Sequence, residues 1–147
     1  MVSPEVLRRF PYFVGISDEL LKQVAMISEE KTVRKGDVLF REGEEARQLD
    51  IVAEGEIDIQ YELGDGTHQT VDTTVGGDFT LWTSLIAPHT THSMGVARTN
   101  VRLVAIDAVK LRELMEADPL LGYRVMDALA TAVSHRLLGA RLQIAAM

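Results

Sequence analysis

The change in hydrophobic period along the chain most constrains the fold. Between residues 31 and 107, apolar and polar residues alternate in short runs that are punctuated by eight glycines. The run 56–62 alternates strictly, so Ile57, Ile59 and Tyr61 share one face of a predicted strand. Short strands separated by turns are typical of an antiparallel sandwich or barrel. The sequence therefore predicts a mainly β fold.

Helical periodicity flanks this block on both sides. Ser17 is placed to cap a helix that precedes the block, and Asp107 to cap a short helix that follows it. Asp118 and Pro119 have the residue types favoured at an N-cap and a first helical position, and the helix they begin is expected to reach Ala145. The prediction is one domain, 1–147, with a helical lead-in over 1–30, a β-roll over 31–106 and C-terminal helices over 107–147.

Composition excludes several classes of protein. A chain of 147 residues matches one domain, and the absence of cysteine excludes disulfides and thiolate chemistry. The formal charge of −7 opposes binding to a phosphate backbone, so this chain alone is not expected to bind nucleic acid. With neither a long apolar run nor a secretory signal, the chain is expected to be cytoplasmic and to have no membrane partner.

The predicted last helix is apolar over about half of its circumference. A sector that wide fits a helix that packs on its own domain and also on a second copy, so a homodimer is predicted. The alternative is a terminal helix folded wholly onto its own domain. The residues assigned to the dimer interface are Leu121, Val125, Leu129, Ala132 and Val133.

Catalytic and metal-binding motifs are weak. His89 and His92 have a loose spacing and no neighbouring carboxylate or cysteine, so a metal site is not expected. Ser84 lacks the flanking glycines of a nucleophile elbow, and Gly76-Gly77 lacks a third glycine at dinucleotide spacing. The sequence therefore predicts a protein that is not an enzyme and has no cofactor and no metal.

The glycine framework carries a specific resemblance. The segments Val33–Gly43, Leu49–Ile57 and Gly77-Asp78 together resemble the cyclic-nucleotide-binding domain family. Its members include the sensor half of catabolite-activator transcription factors and the regulatory subunits of cyclic-AMP-dependent kinase. The resemblance extends over nearly the whole chain. It implies an eight-stranded antiparallel jelly roll flanked by N-terminal helices and a long C-terminal helix that closes a nucleotide pocket.

The ligand signature of that family is altered here. The family's phosphate-binding cassette typically reads Phe-Gly-Glu-Leu-Ala-Leu-Leu, then a loop, then Pro-Arg-x-Ala. In the family the glutamate binds the ribose 2′-hydroxyl, and the arginine pairs with the cyclic phosphate. A gapless alignment puts Trp82 in place of the glutamate and Thr91 in place of the arginine. Both charged determinants are absent, although His92 or Arg98 could supply a replacement cation.

The aligned residues define a candidate pocket. They form a neutral, aromatic and hydroxyl-rich set, which suits an uncharged or weakly polar ligand. The alternative is that Trp82 fills the interior of the roll and leaves no ligand site. The candidate pocket residues are Trp82, Thr83, Ser84, Thr91, His92 and Ser93.

These inferences predict a regulatory or sensor domain that does not bind cyclic AMP or cyclic GMP in the standard way. A sensor that holds a cyclic nucleotide by atypical contacts and a structural dimerisation module are the alternatives. The predicted partners are a small molecule, either a nucleotide or a neutral compound, and a second copy of the chain. The chain ends near the predicted helix, with no room for a helix-turn-helix module, so a stand-alone domain and part of a longer protein both stay open.

Overall fold

Eight antiparallel strands in two four-stranded sheets form the centre of the molecule, as seen in a computed structural model that describes residues 1–147. The first sheet has the order β1-β8-β3-β6 and the second the order β2-β7-β4-β5. This is the predicted jelly roll. The strands are β1 (Ser28–Val33), β2 (Val38–Phe40), β3 (Gln48–Glu54), β4 (Ile57–Glu62), β5 (His68–Thr74), β6 (Phe79–Thr80), β7 (Met94–Ala97) and β8 (Val101–Asp107).

Four α-helices and two 3-10 turns surround the roll. They are α1 (Pro4–Arg8), the first 3-10 turn (Pro11–Phe13), α2 (Asp18–Met26), the second 3-10 turn (Trp82–Leu85), α3 (Ala108–Ala117) and α4 (Pro119–Ala145). The predicted caps are confirmed, because the side chains of Ser17, Asp107 and Asp118 accept hydrogen bonds from the first turns of α2, α3 and α4. No helix is both long enough and apolar enough to span a bilayer.

The space between the two sheets holds a small apolar core. Val52, Leu103 and Ile57 are among its fully buried residues, and they come from both sheets. A second cluster joins Phe40 to Leu81. The Phe40 ring lies directly over Gly95, so any Cβ at that point of β7 would push the ring out of its place. The glycine therefore allows the close approach of β2 and β7.

The outer face of the first sheet is covered by the helices. Leu49 and Ile51 of β3 and Val104 and Ile106 of β8 form one 19-residue cluster with side chains from the helices. The alternation along β3 explains this arrangement, since successive residues face opposite sides of the sheet. The largest core therefore lies between sheet and helices and holds α4 against the roll.

The position of α4 corrects the predicted dimer interface. Leu121, Val125 and Leu129 are only 0, 5 and 7% exposed because they belong to the 19-residue cluster of their own chain. These three residues are core residues and are not available to a second copy. Ala132 and Val133 are partly buried against the same cluster. Dimerisation itself stays a prediction.

Element boundaries agree with the sequence interpretation at some positions and differ at others. The last helix spans the predicted range, and a tight turn at Asp65-Gly66 joins β4 to β5, with Gly66 at a φ of +84°. Strand β1 begins at Ser28, three residues before the predicted start of the roll. The side chains of β1 are mostly exposed, so its sequence has no strong alternation that would mark its start.

One carboxyl group is buried inside the roll. Asp50 of β3 is only 1% exposed, and the Gln48 side chain donates a hydrogen bond to it at 2.7 Å. Burial raises the pKa of Asp50 to about 7, against smaller lowering effects of Gln48 and Lys31. The folded protein therefore holds a proton on Asp50 at pH values at which the unfolded chain has lost it.

Replacing this carboxyl should change the pH dependence of stability. Between about pH 4 and about pH 7 the folded state binds more protons at Asp50 than the unfolded state, so the free energy of unfolding falls as the pH rises. The slope from this one group is at most about 1.4 kcal/mol per pH unit. In Asp50→Asn we expect this component to disappear in urea unfolding measured across that range. Glu113→Gln, at an exposed position, is the control and should leave the pH dependence of the free energy of unfolding unchanged. If Asp50→Asn also leaves it unchanged, the assignment of this component to Asp50 is contradicted.

Candidate functional site

A cavity of about 950 Å³ lies between the roll and α4. Strands β4 and β5 and the second 3-10 turn form one wall, and the middle and distal part of α4 forms the other. The first 3-10 turn contributes Pro11 and Tyr12. The volume is in the range that encloses a drug-sized or nucleotide-sized molecule.

Five of the six predicted pocket residues line this cavity. They are Trp82, Thr83, Thr91, His92 and Ser93. Ser84 does not line it. That residue is fully buried within the second 3-10 turn, where its carbonyl oxygen accepts a hydrogen bond from Arg112 of α3 and its hydroxyl has no partner.

The cassette turn, residues 80–86, aligns with the first part of the family's cassette and contains a residue with an unusual backbone conformation. Leu81 stands where the family has glycine, and its φ of 60° lies in the left-handed region that favours glycine. Trp82 follows it and is half-buried, with its ring edge-to-face with His92 at a centroid distance of 6.2 Å. Trp82 therefore lines an open cavity and does not fill the interior of the roll.

The Thr91 hydroxyl has a structural role. Thr91 is 4% exposed, and its Oγ1 donates to the carbonyl oxygen of Arg41 and accepts from the backbone N–H of Glu44 at 3.0 Å. The backbone N–H of Thr91 also donates to the Glu44 carbonyl at 2.8 Å. The position aligned with the family's arginine thus anchors the loop between β2 and β3 and supplies no cation.

The two replacement cations suggested by the sequence lie in different places. Arg98 is exposed, pairs with Glu56 at 3.7 Å and does not line the cavity, so the suggestion that it reaches the pocket is wrong. His92 does line the cavity, from the same wall as Trp82. Among the residues of this wall, His92 alone can carry a positive charge.

The cavity is charged, which corrects the prediction of a neutral pocket. Sequence reasoning considered only the cassette residues and missed Asp72 and Asp78 on the side of the roll. It also missed the whole wall formed by α4, because no local motif shows which face of that helix turns toward the roll. The charged and titratable residues missed are Asp72, Asp78, Arg124, Asp127, His135 and Arg136.

Arg136 holds the distal part of α4 to the roll. Its guanidinium is 3.1 Å from Asp78 and 3.4 Å from Asp72, and it also donates to the carbonyl oxygen of Phe79 at 3.0 Å. Beyond Val133, all residues of α4 except Arg136 are exposed. This ion-pair network is therefore the main contact between the end of the helix and the roll.

Tyr12 joins the same network from the first 3-10 turn. Its hydroxyl donates to the carbonyl oxygen of Gly77 at 2.6 Å, next to Asp78. Burial, reinforced by the Asp78 charge and opposed by Arg136, raises the pKa of Tyr12 to about 12. The phenol therefore stays a hydrogen-bond donor at physiological pH, and the N-terminal segment is fixed to the rim of the cavity.

Comparison with known families identifies the fold family. The family model of the cyclic nucleotide-binding domain matches residues 30–118, which is more than half of the chain. The chain belongs to the cyclic nucleotide-binding domain family. That family consists of regulatory and sensor domains. A search of curated protein sequences finds no match.

Solved structures agree with this assignment. A candidate cyclic nucleotide-binding protein of Geobacter metallireducens GS-15 has a TM-score of 0.82 and 38% identity, over 93% of this chain and 99% of the other. The N-terminal domain of a transcriptional regulator from Streptomyces coelicolor A3(2) has a TM-score of 0.69 and 26% identity, over 92% and 94%. The Thermus thermophilus catabolite activator protein shares the fold with a TM-score of 0.71 and 22% identity, over 91% of this chain and 61% of its own.

The network around Arg136 generates a prediction about local stability. Arg136→Gln should speed amide hydrogen exchange in residues 134–145 by about fivefold, because a partly buried pair of this kind contributes about 1 kcal/mol. Exchange around Leu121, Val125 and Leu129 should not change, because these residues are held by the core of the domain.

Arg141→Gln is the matched control, since Arg141 lies on the same part of the helix, is exposed and makes no ion pair. Its exchange rates should equal those of the wild type. Rates in Arg136→Gln that equal those of the wild type would show that the ion pairs do not hold the helix.

Proposed function

We propose that this domain is a non-enzymatic regulatory domain that senses a small molecule in the cavity between the roll and α4. We further propose that it does not hold cyclic AMP or cyclic GMP in the family's standard way. One observation carries the proposal: a cavity of about 950 Å³ opens at the cassette turn and has neither of the two charged side chains that the cassette normally supplies.

The open cavity favours a ligand site over a filled pocket. Trp82 and His92 stand at its wall, and the buried residues Thr83 and Thr91 complete that side. An apolar surface with a few convergent polar groups is the usual character of a small-molecule site. A tryptophan that merely filled the roll would leave no space of this size.

The two replacements in the cassette oppose standard recognition of a cyclic nucleotide. Loss of the arginine removes a charge-assisted hydrogen bond of about 1.5–3 kcal/mol to the phosphate. The Thr91 hydroxyl cannot compensate, because it is engaged with the loop at Arg41 and Glu44. Trp82 offers no carboxylate to a ribose hydroxyl.

Helix α4 is suited to transmit occupancy of the cavity. It forms one wall of the site and is held at its end by the Arg136 network. A ligand that contacts α4 differently in two positions of the helix would shift the population between them. The output of the domain would then be the position of the distal helix.

A cyclic nucleotide titration tests this proposal. Trp82 is the only tryptophan of the chain and lines the cavity, so its fluorescence reports on that site. With cyclic AMP or cyclic GMP at millimolar concentration, we expect neither a change in Trp82 emission nor a rise in the unfolding midpoint. Ligand at 100 times its dissociation constant would stabilise the fold by about 2.7 kcal/mol. That corresponds to roughly 5–10 °C, and a rise of this size would overturn the proposal.

We also propose that the domain forms a homodimer through the exposed side of α4. Along this side, apolar residues recur at alternating intervals of three and four, the spacing of a coiled-coil seam. Tyr123, Leu137 and Ile144 are 63, 51 and 69% exposed within the single chain. The seam consists of Tyr123, Met126, Ala130, Val133, Leu137, Ala140 and Ile144.

A second copy of this chain is the occupant that fits this seam. Two copies present the same stripe to each other, and a two-fold axis makes such an interface complementary to itself. The seam adjoins the side of α4 that carries Leu121 and Leu129: Met126 and Val133 are partly buried against the core cluster. Tyr123, Leu137 and Ile144 are exposed, so the helix can pack on its own core and on a partner at once. Of the five residues assigned to the interface from the sequence, Val133 belongs to this seam.

A charge placed in the seam should dissociate the dimer. We expect Leu137→Arg to sediment as a monomer in analytical ultracentrifugation at concentrations at which the wild type is dimeric, because an unpaired charge cannot be buried there. Leu138→Arg is the control, since Leu138 is similarly exposed at 56% but lies outside the seam. A monomeric wild type, or equal dissociation of both variants, would contradict the seam.

A further inference from the structure

Arg124 of α4 is a cation without a partner at the cavity. The residue lines the cavity and is half-buried, and its Nε is one of three buried side-chain nitrogen or oxygen atoms that make no hydrogen bond. One terminal nitrogen lies beside Gly15, at 3.6 Å from the position of an ideal Cβ there. The guanidinium makes no ion pair with any carboxylate of the chain.

The other charges of the cavity do not satisfy Arg124. Asp72 and Asp78 are paired with Arg136. Asp127 lies one turn along α4, but it is exposed and forms no ion pair with Arg124. The cavity therefore contains one guanidinium that is neutralised by two carboxylates and one that is free.

A buried guanidinium N–H without an acceptor is unfavourable, since burial removes the water that would otherwise bind it. A planar guanidinium matches carboxylate and phosphate oxygens in pairs, which makes such anions its preferred acceptors. The remaining wall includes Trp82 and the apolar side chains of Phe40 and Ile59. These surfaces suit the carbon skeleton of an organic molecule.

We propose that the ligand of this cavity is an organic anion with an aromatic or apolar body and no ribose, and that Arg124 binds its carboxylate or phosphate group. A cyclic nucleotide lies outside this class, because Trp82 leaves its ribose hydroxyl without a carboxylate partner. This inference rests on the proposed function of the cavity as a ligand site and adds the chemical class of the ligand. The cation that binds the anion is then supplied by α4, in place of the arginine that is missing at Thr91. Binding of the anionic group would act directly on the helix that carries the output.

Small aromatic probes test the inference. Benzoate supplies a carboxylate, phenyl phosphate supplies a phosphate, and benzyl alcohol is the neutral counterpart of both. The readouts are the unfolding midpoint and Trp82 fluorescence, with ionic strength held constant by sodium chloride so that screening does not vary. We expect a saturable response to at least one anion and a much weaker response to benzyl alcohol. The anion that gives the response identifies the acidic group.

Arg124→Gln should weaken binding of the responding anion by about 10- to 100-fold, the loss expected for a charge-assisted hydrogen bond. Arg141→Gln, on the exposed side of the same helix, should bind as the wild type does. Without an anion, Arg124→Gln should unfold at a midpoint no lower than that of the wild type, because no hydrogen bond or ion pair is lost. Arg124→Lys keeps the charge and provides a second variant if the glutamine variant does not fold; it should retain part of the affinity.

Three outcomes would overturn the inference. They are no response to either anion, an unchanged affinity of Arg124→Gln for the responding anion, and binding of benzyl alcohol to the wild type that is as tight as binding of the anions. The third outcome would leave the cavity as a ligand site for neutral molecules. In that case the proposed function stands and only the class of ligand changes.

Discussion

Packing of the first half of α4 against the outer face of the first sheet determines the rest of the structure. Leu121, Val125 and Leu129 are buried in the same cluster as Leu49 and Ile51 of β3. With one side of the helix fixed in this way, the direction of every other side follows from the helical repeat of about 100° per residue. The side that carries Arg124 faces the cavity, and the side that carries Leu137 faces solvent.

Much of the fold was predictable because its signals are local. Alternation marked β4, Ser17 and Asp107 marked the starts of α2 and α3, and Asp118-Pro119 marked the beginning of α4. The glycine framework also identified the family, which the match over residues 30–118 confirms. The predicted roll starts three residues after the observed start of β1, because the exposed side chains of this strand give it no clear period.

The site was only half predictable because its second wall comes from a distant part of the chain. Trp82, Thr83, Thr91, His92 and Ser93 were found through the cassette alignment, and the cavity contains them. Arg124 and Arg136 were not found, since a broad apolar sector on a helix does not show which polar residues flank its buried part. The same ambiguity put Leu121, Val125 and Leu129 in a dimer interface instead of the core.

Helix α4 presents one side to the core, one to the cavity and one to solvent. The rotational phase of its residues therefore matters to the whole domain. One residue inserted between Leu129 and Val133 would turn everything beyond it by about 100°. Leu137 would then leave the solvent side, and Arg136 would lose its direction toward Asp72 and Asp78. An insertion of about seven residues would nearly restore the direction but would carry Arg136 about 10 Å along the axis. Both the number of residues between Leu129 and Arg136 and their rotational phase are therefore constrained. This segment of α4 should tolerate substitutions far better than insertions or deletions.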